Sequence, residues 1–309
     1  MKIVVLAGGV GAARFLEGLV QITNPIDITV IVNTGDDEDF YGLRVCPDID
    51  TILYTLSGNN NEKQGWGLKD ETFAVSNQLG KFGYERWFML GDKDFATHIH
   101  RTNLLQQKKT LSEITENLAK LFSLPIKLLP MSNDVVKTKV KTPHGILSFQ
   151  EYFVKRKFQD TVLSVIFSGI KKAKPAPGVI EAINIAEAII IAPSNPIVSI
   201  GTILAVPTIT SHIKKSHAKK IAISPIIGGK AIKGPADIIL TNLGIESSAF
   251  GVANIYKELL DTFILDAQDR FQKEKIEKLG MRVVTTNTIM KNLQTKKLLA
   301  QTVINTLCM

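Results

Sequence analysis

The chain has 309 residues, 45% of them apolar and 21% charged, with a formal net charge of +8. That length suits a single α/β domain over 1–309 with an ample core; no apolar run is long enough to span a bilayer, and no leader precedes the first strand. Two cysteines, Cys46 and Cys308, do not suggest a disulfide framework or a metal knuckle, so a reducing cytoplasm is the expected setting.

Lys2 to Leu6 is a short β-branched run of the kind buried on both faces of a parallel sheet. Gly8, Gly9 and Gly11 follow at once, and Ala12 to Val20 reads as a helix with Phe15, Leu16 and Leu19 on its apolar side. A strand, a glycine turn and a helix start present free N–H groups and a positive dipole end to an anion. Arg14 lies in the first helical turn and can reach the same anion. No Gly-Lys-Ser/Thr follows the glycines, so the Walker reading fails. Gly9-x-Gly11-x-x-Arg14 keeps a weak dinucleotide reading, with Arg in place of the third glycine.

Ile28 to Val32 is a second strand, and the pair makes a βαβ opening that favours a right-handed crossover. The acidic stretch from Asn33 to Asp50 contains Asp36, Asp37, Asp48 and Asp50. Phe88 to Leu90 is a short strand candidate ahead of "GDKDFATHIHRTNLL". Thr110 to Phe122 reads as an amphipathic helix, and Ile126 to Pro130 as a strand. Gly145 to Phe149 reads as another, in a hairpin with Val135 to Val140. "AIIIAPSNPIVSIG" and "KIAISPIIGGKAIKGP" each run from a buried strand into a polar loop. Ile264 to Asp266 and Met281 to Thr285 complete the strands, and Asn287 to Leu307 is mostly helix. The expected fold is a Rossmann-like parallel sheet flanked by helices, with a helical and small β insertion at about 95–174. The five polar loops that follow the strands then gather on the edge where open parallel sheets bind ligands.

Several side chains have a bland reading beside a chemical one. Ser194, Asn195 and Ser199 can grip a phosphate or satisfy their own turn. Asp50 can cap a helix or hold Mg²⁺, and Asp92 and Asp94 repeat the option, as do Asp36 and Asp37. Thr97, His98 and Arg101 recur at about one-turn intervals. His98 and His100, two apart on a helix, cannot share a zinc. No catalytic triad is legible. A phosphate cradle, aspartates suited to Mg²⁺ and basic residues fit transfer of a phosphorus-bearing group better than hydride transfer. The positive excess is scattered over lysine clusters such as Lys155-Arg156-Lys157 without interleaved aromatics. No nucleic-acid partner is therefore expected.

Together the blocks "AGGVGAARFLEGL", "VNTGDD", "GLRVCPDIDTILYTL", "WGLKDETF", "LGDKDFATHIHRTNLL", "LPMSND", "APSNPIVSIG" and "SPIIGGKAIKGPA" resemble the 2-phospho-L-lactate transferases of deazaflavin coenzyme biosynthesis. "GLRVCPDIDT" with "WGLKDET" looks closer to the bacterial-type members. The resemblance implies transfer of a phospho-acid group from a guanosine diphosphate-linked donor to the ribityl hydroxyl of the deazaflavin Fo, releasing GMP. It implies that Gly8, Gly9, Val10, Gly11 and Arg14 hold the diphosphate. Ser194, Asn195, Ser199, Gly201, Ser224, Gly228 and Gly229 would surround the guanosine. Asp50 would carry Mg²⁺ and, with Asp92, the proton transfer. Asp50, Met89, Thr97, His98 and Arg101 would line the deazaflavin pocket. Met89 stands where some members carry a basic residue, which leaves Arg101 or Lys93 to serve. The acid carried is phospholactate, phosphoenolpyruvate or a phosphoglycerate. An NAD-dependent oxidoreductase, with Asp36 or Asp37 on the ribose, and a nucleotide-sugar-binding regulator of the same fold are the rival readings. The apolar stretch Leu298 to Leu307 suits packing across a homodimer.

Overall fold

The computed structural model describes residues 1–62 and 64–308. Its first half runs β1 (Ile3–Ala7), α1 (Gly9–Leu19), β2 (Ile28–Val32), β3 (Glu38–Phe40), β4 (Leu43–Val45) and α2 (Pro47–Leu56). There follow α3 (Ala74–Lys81), α4 (Asp92–Gln106), α5 (Leu111–Leu121), β5 (Lys127–Pro130), β6 (Lys137–Thr142), β7 (Gly145–Ser148) and β8 (Ser164–Ser168). The second half supplies β9 (Ala188–Ile191), β10 (Lys219–Ile223), β11 (Ile226–Ile227), β12 (Lys230–Ala231), β13 (Thr262–Asp266) and β14 (Arg282–Thr286) between helices, the last of them Leu293–Cys308.

Seven of these strands form one parallel sheet in the order β14-β13-β10-β9-β1-β2-β5. Successive side chains of a strand point to opposite faces, so a strand buried on both sides feeds two cores. β1 does this: Val4 and Leu6 belong to one buried cluster, and Ile3, Val5 and Ala7 to the other. From β1 the chain builds outward through β2 and β5, then returns to β9 and builds the other way. The strand order therefore reverses between β1 and β9, where such sheets open a ligand crevice beyond their carboxyl ends.

Two sequence expectations change. The segment at 95–174 is not wholly an insertion, because β5 pairs in parallel with β2, for instance Val30 with Leu128. What stands outside the main sheet is the antiparallel trio β7-β6-β8. Phe88 to Leu90 is not a strand. Phe88 instead stacks on Phe40 with ring centroids 3.9 Å apart, and Trp87 meets both rings edge-on. Aromatic packing against the β3–β4 hairpin fixes this segment without a sheet partner.

Candidate active site

The strand-to-helix turn after β1 is tighter than the sequence suggests. Gly8 is the N-cap and α1 starts at Gly9, so the glycines form its first turn. Gly9 has φ +68°, and a Cβ on Gly11 would stand 2.1 Å from the Pro193 carbonyl oxygen. The N–H of Gly8 donates to Ser194 Oγ at 3.2 Å. Glycine is thus required by the close approach of the two loops that follow β1 and β9. The amides of Val10 and Gly11 are among the first-turn donors that no intrahelical carbonyl can satisfy.

Opposite this turn, five buried carboxylates have different partners. Asn33 Nδ2 donates to Asp36 Oδ2 at 3.1 Å and to Asp48 Oδ2 at 2.9 Å, clamping the two together. Asp48 also takes the N–H of Gly9. Burial pushes Asp48 up to about 6, against the help of Asn33 and Gly9; burial and then the charge of Asp48 push Asp36 well above the usual carboxylate range. Oδ1 of Asp36 and Oδ1 of Asp37 have no hydrogen-bond partner among the described residues. Asp50, in the first turn of α2, accepts two bonds from the fully buried guanidinium of Arg101, one from Nη1 at 3.1 Å and one from Nη2. Burial opposes the charge on Arg101, but Asp50 outweighs it and the guanidinium stays protonated. The same Nη1 donates to His98 Nδ1 at 3.1 Å, and His98 Nε2 faces Asp94 Oδ1 at 3.3 Å. Tyr54 donates its hydroxyl to that same oxygen at 2.6 Å.

Asp36, Asp48, Asp50, Asp94, His98 and Tyr54 border one cavity of about 670 Å³. Its wall takes in Gly8, Gly9, Val10, Gly11 and Arg14, the carboxylates of Asp36, Asp48, Asp50 and Asp94, and the rings of Trp87, Phe88, Phe149 and Phe153. A side pocket of about 150 Å³ shares Arg14, Lys291 and Trp66 with it and includes none of those four carboxylates. Lys233 reaches across the cavity to donate to the Gly65 carbonyl at 2.7 Å. Burial, and then the nearby charge of Arg14, hold the Lys233 ammonium below its usual pKa.

The family model described as 2-phospho-L-lactate transferase CofD matches residues 3–304. The chain belongs to that family. Among relatives of this transferase, a phosphoenolpyruvate transferase from Streptomyces griseus is 48% identical over 288 residues, spanning 91% of each chain. A 2-phospho-L-lactate transferase from Methanococcoides burtonii is 40% identical over 302 residues, spanning 98% of each. A UPF0052-family protein from Bacillus halodurans shares the fold, with a TM-score of 0.65 at 19% identity over 98% of both chains.

Within this transferase, Ser194, Asn195, Ser199, Ser224, Met89 and His98 border the cavity, as do the glycine turn, Arg14 and Asp50. Other expected residues lie elsewhere. Asp92 accepts from the Thr72 hydroxyl and from the backbone N–H groups of Ala74 and Val75, so its carboxylate caps α3, and Asp94 is the acidic side chain that α4 presents to the cavity. Gly228 and Gly229, at φ +57° and +79°, make the turn between β11 and β12 and are tied to Asp269 and Ser247. That same loop reaches the cavity through Ile227, Ile232 and Lys233. Gly201 sits in a helix against the Pro196 carbonyl, outside the lining. Thr97 and Arg101 are buried behind the wall. The cation beside Met89 is Arg86, with Nη2 4.0 Å from Sδ; Arg101 is committed to Asp50, and Lys93 bonds the Lys69 carbonyl. Tyr54, Trp66, Phe149 and Lys291 were not legible as site residues. Only Tyr54 carried a signal, four residues after Asp50 on one helix face.

Proposed function

We propose that this chain transfers a phospho-acid group from a guanosine diphosphate-linked donor to the ribityl hydroxyl of the deazaflavin Fo, releasing GMP, in deazaflavin coenzyme biosynthesis. One observation carries the reading: a single cavity combines a helix start, cations without a carboxylate partner among the described residues, a carboxylate group and an aromatic wall. The amides of the glycine turn suit a diphosphate. Arg14, Lys233 and Lys291 have no carboxylate partner among the described residues and suit the remaining anionic groups of the donor. Phe88, Trp87, Phe149 and Phe153 suit a flat tricyclic acceptor. The greater identity to the Streptomyces phosphoenolpyruvate transferase than to the methanogen enzyme favours the phosphoenolpyruvyl group over the phospholactyl one.

The donor set fits Mg²⁺, with a change of ligand. Asp50 is taken up by Arg101, whereas Asp36 retains an oxygen without a hydrogen bond next to Asp48. Among the described residues no three His, Cys, Asp or Glu side chains gather as a metal site. Two carboxylates completed by substrate oxygens is the arrangement Mg²⁺ favours. Asp36 and Asp48 would hold the ion, which supplies neutralisation of the diphosphate charge. The protein's own part is to seat the diphosphate on the Val10 and Gly11 amides, to hold the acceptor hydroxyl in line and to stabilise charge on the leaving phosphate with Arg14.

The test is incubation with Fo, Mg²⁺, GTP, a partner guanylyltransferase and each candidate acid, followed by mass spectrometry. The expected result is an Fo phosphodiester with the phosphoenolpyruvate-derived donor, formed faster than with phospholactate. Unchanged Fo with every donor overturns the reading.

A further inference from the structure

The reaction requires that the acceptor hydroxyl lose a proton as its oxygen attacks phosphorus, and four carboxylates border the cavity. Three of them are poor acceptors. Asp50 forms a bidentate pair with a buried, permanently charged guanidinium, so protonating it would strand that charge. Asp36 and Asp48 share the Asn33 amide, Asp48 also holds the Gly9 N–H, and the one unbonded Asp36 oxygen is the one assigned above to the ion. Asp92 lies outside the cavity and caps α3.

Asp94 differs. Its Oδ1 accepts from Tyr54 and faces His98 Nε2, while no hydrogen bond among the described residues reaches Oδ2. Arg101 can only donate, so His98 Nδ1 accepts from it with its one lone pair, and the ring hydrogen then sits on Nε2, which lies 3.3 Å from Asp94 Oδ1 without forming a hydrogen bond. His98 therefore has no free lone pair with which to take a proton itself. Burial, with the charges of Asp50 and Asp94, keeps the Tyr54 hydroxyl protonated and donating. Glu71 fixes the start of α4, accepting the N–H of Lys93 and of Asp94 itself at 2.9 Å each. The titratable groups around Asp94 are thus Tyr54 from α2, His98 from its own helix and Glu71 from the preceding loop, with the Arg101–Asp50 pair behind His98.

We infer that Asp94 is the general base of the transfer, positioned by the Tyr54 hydroxyl. The acceptor oxygen forms its bond to the donor phosphorus as the bond from phosphorus to the leaving nucleoside monophosphate oxygen breaks. The electron pair departs with the nucleotide, and the hydroxyl proton passes to Asp94 Oδ2. This assignment rests on the transferase reading, and its test separates the two.

The experiment compares wild type, Asp94→Asn and Tyr54→Phe by steady-state kinetics from pH 5 to 9, with Fo and GDP binding measured by titration. Asp94→Asn keeps an oxygen for Tyr54, so it is expected to fold and to bind both ligands within about threefold of wild type. Its kcat is expected to fall roughly 10²- to 10⁴-fold, the usual worth of a general base, and the acidic limb of its pH profile to disappear. Tyr54→Phe removes a donor to the carboxylate and is expected to move that limb to higher pH while retaining turnover. Asp94→Asn turnover within threefold of wild type, with the acidic limb unchanged, overturns the assignment. If Asp94→Asn fails to fold, an unmoved limb in Tyr54→Phe overturns it instead. Wild type that never turns over overturns the transferase reading itself.

Discussion

Replacing Arg101 by Met tests the polar scaffold behind the cavity. Arg101 is fully buried, and its guanidinium bonds both oxygens of Asp50, His98 Nδ1 and the Arg44 carbonyl. Removing one partner of a buried ion pair leaves an uncompensated charge and typically costs about 3–5 kcal/mol. At roughly 2–4 °C per kcal/mol for large domains, the melting temperature should fall by about 6–20 °C. Asp50→Asn strands the guanidinium instead and should also destabilise. The double variant carries neither charge, so its loss should be well below the sum of the two single losses. Thermal and urea unfolding of the three variants and wild type would measure the cycle. A fall of under about 2 °C for Arg101→Met, or strict additivity in the double variant, would refute the reasoning.

Gly11→Ala forces a Cβ against the Pro193 carbonyl and should cost about 1–3 kcal/mol; it should also weaken GDP binding, read by melting and titration, and unaltered affinity would count against the glycine turn as the diphosphate seat. Asp37 is pushed by burial up to about 7, and Asp48 up to about 6, both above the unfolded value of 3.8. The folded chain then holds more protons than the unfolded one between about pH 4 and 7, so ligand-free stability should fall as pH rises through that window. For Asp37 alone the rise corresponds to roughly 4 kcal/mol, and Asp37→Asn should flatten the decline in unfolding curves taken at pH 5 and pH 8. Added Mg²⁺ should raise the melting temperature at pH 8 in wild type and much less in Asp48→Asn; equal shifts would remove Asp48 from the ion's ligands.

Local signals with a single physical solution were readable in the sequence. Thr110 to Phe122 read as an amphipathic helix, and α5 lies there, opened by a reciprocal capping box of Thr110 and Glu113. The β-branched runs became the seven parallel strands because only a sheet covered on both faces hides them. Illegible features depended on which way a side chain faces. Asp92 and Asp94 are two residues apart, yet one caps α3 while the other borders the cavity. Phe88 to Leu90 looked like a strand, but its rings had a better use against Phe40. Asp50 looked free for a metal because its partner, Arg101, is distant in sequence and meets it only when α4 packs beside α2.

The most direct measurement is a crystal structure with GDP and Fo bound together. The account predicts both ligands in the one cavity, with diphosphate oxygens on the Val10 and Gly11 amides and the deazaflavin rings against Trp87 and Phe88. It further predicts the ribityl hydroxyl within about 3.2 Å of Asp94, or one water away. GDP seated away from the glycine turn, or Fo outside the cavity, would contradict it.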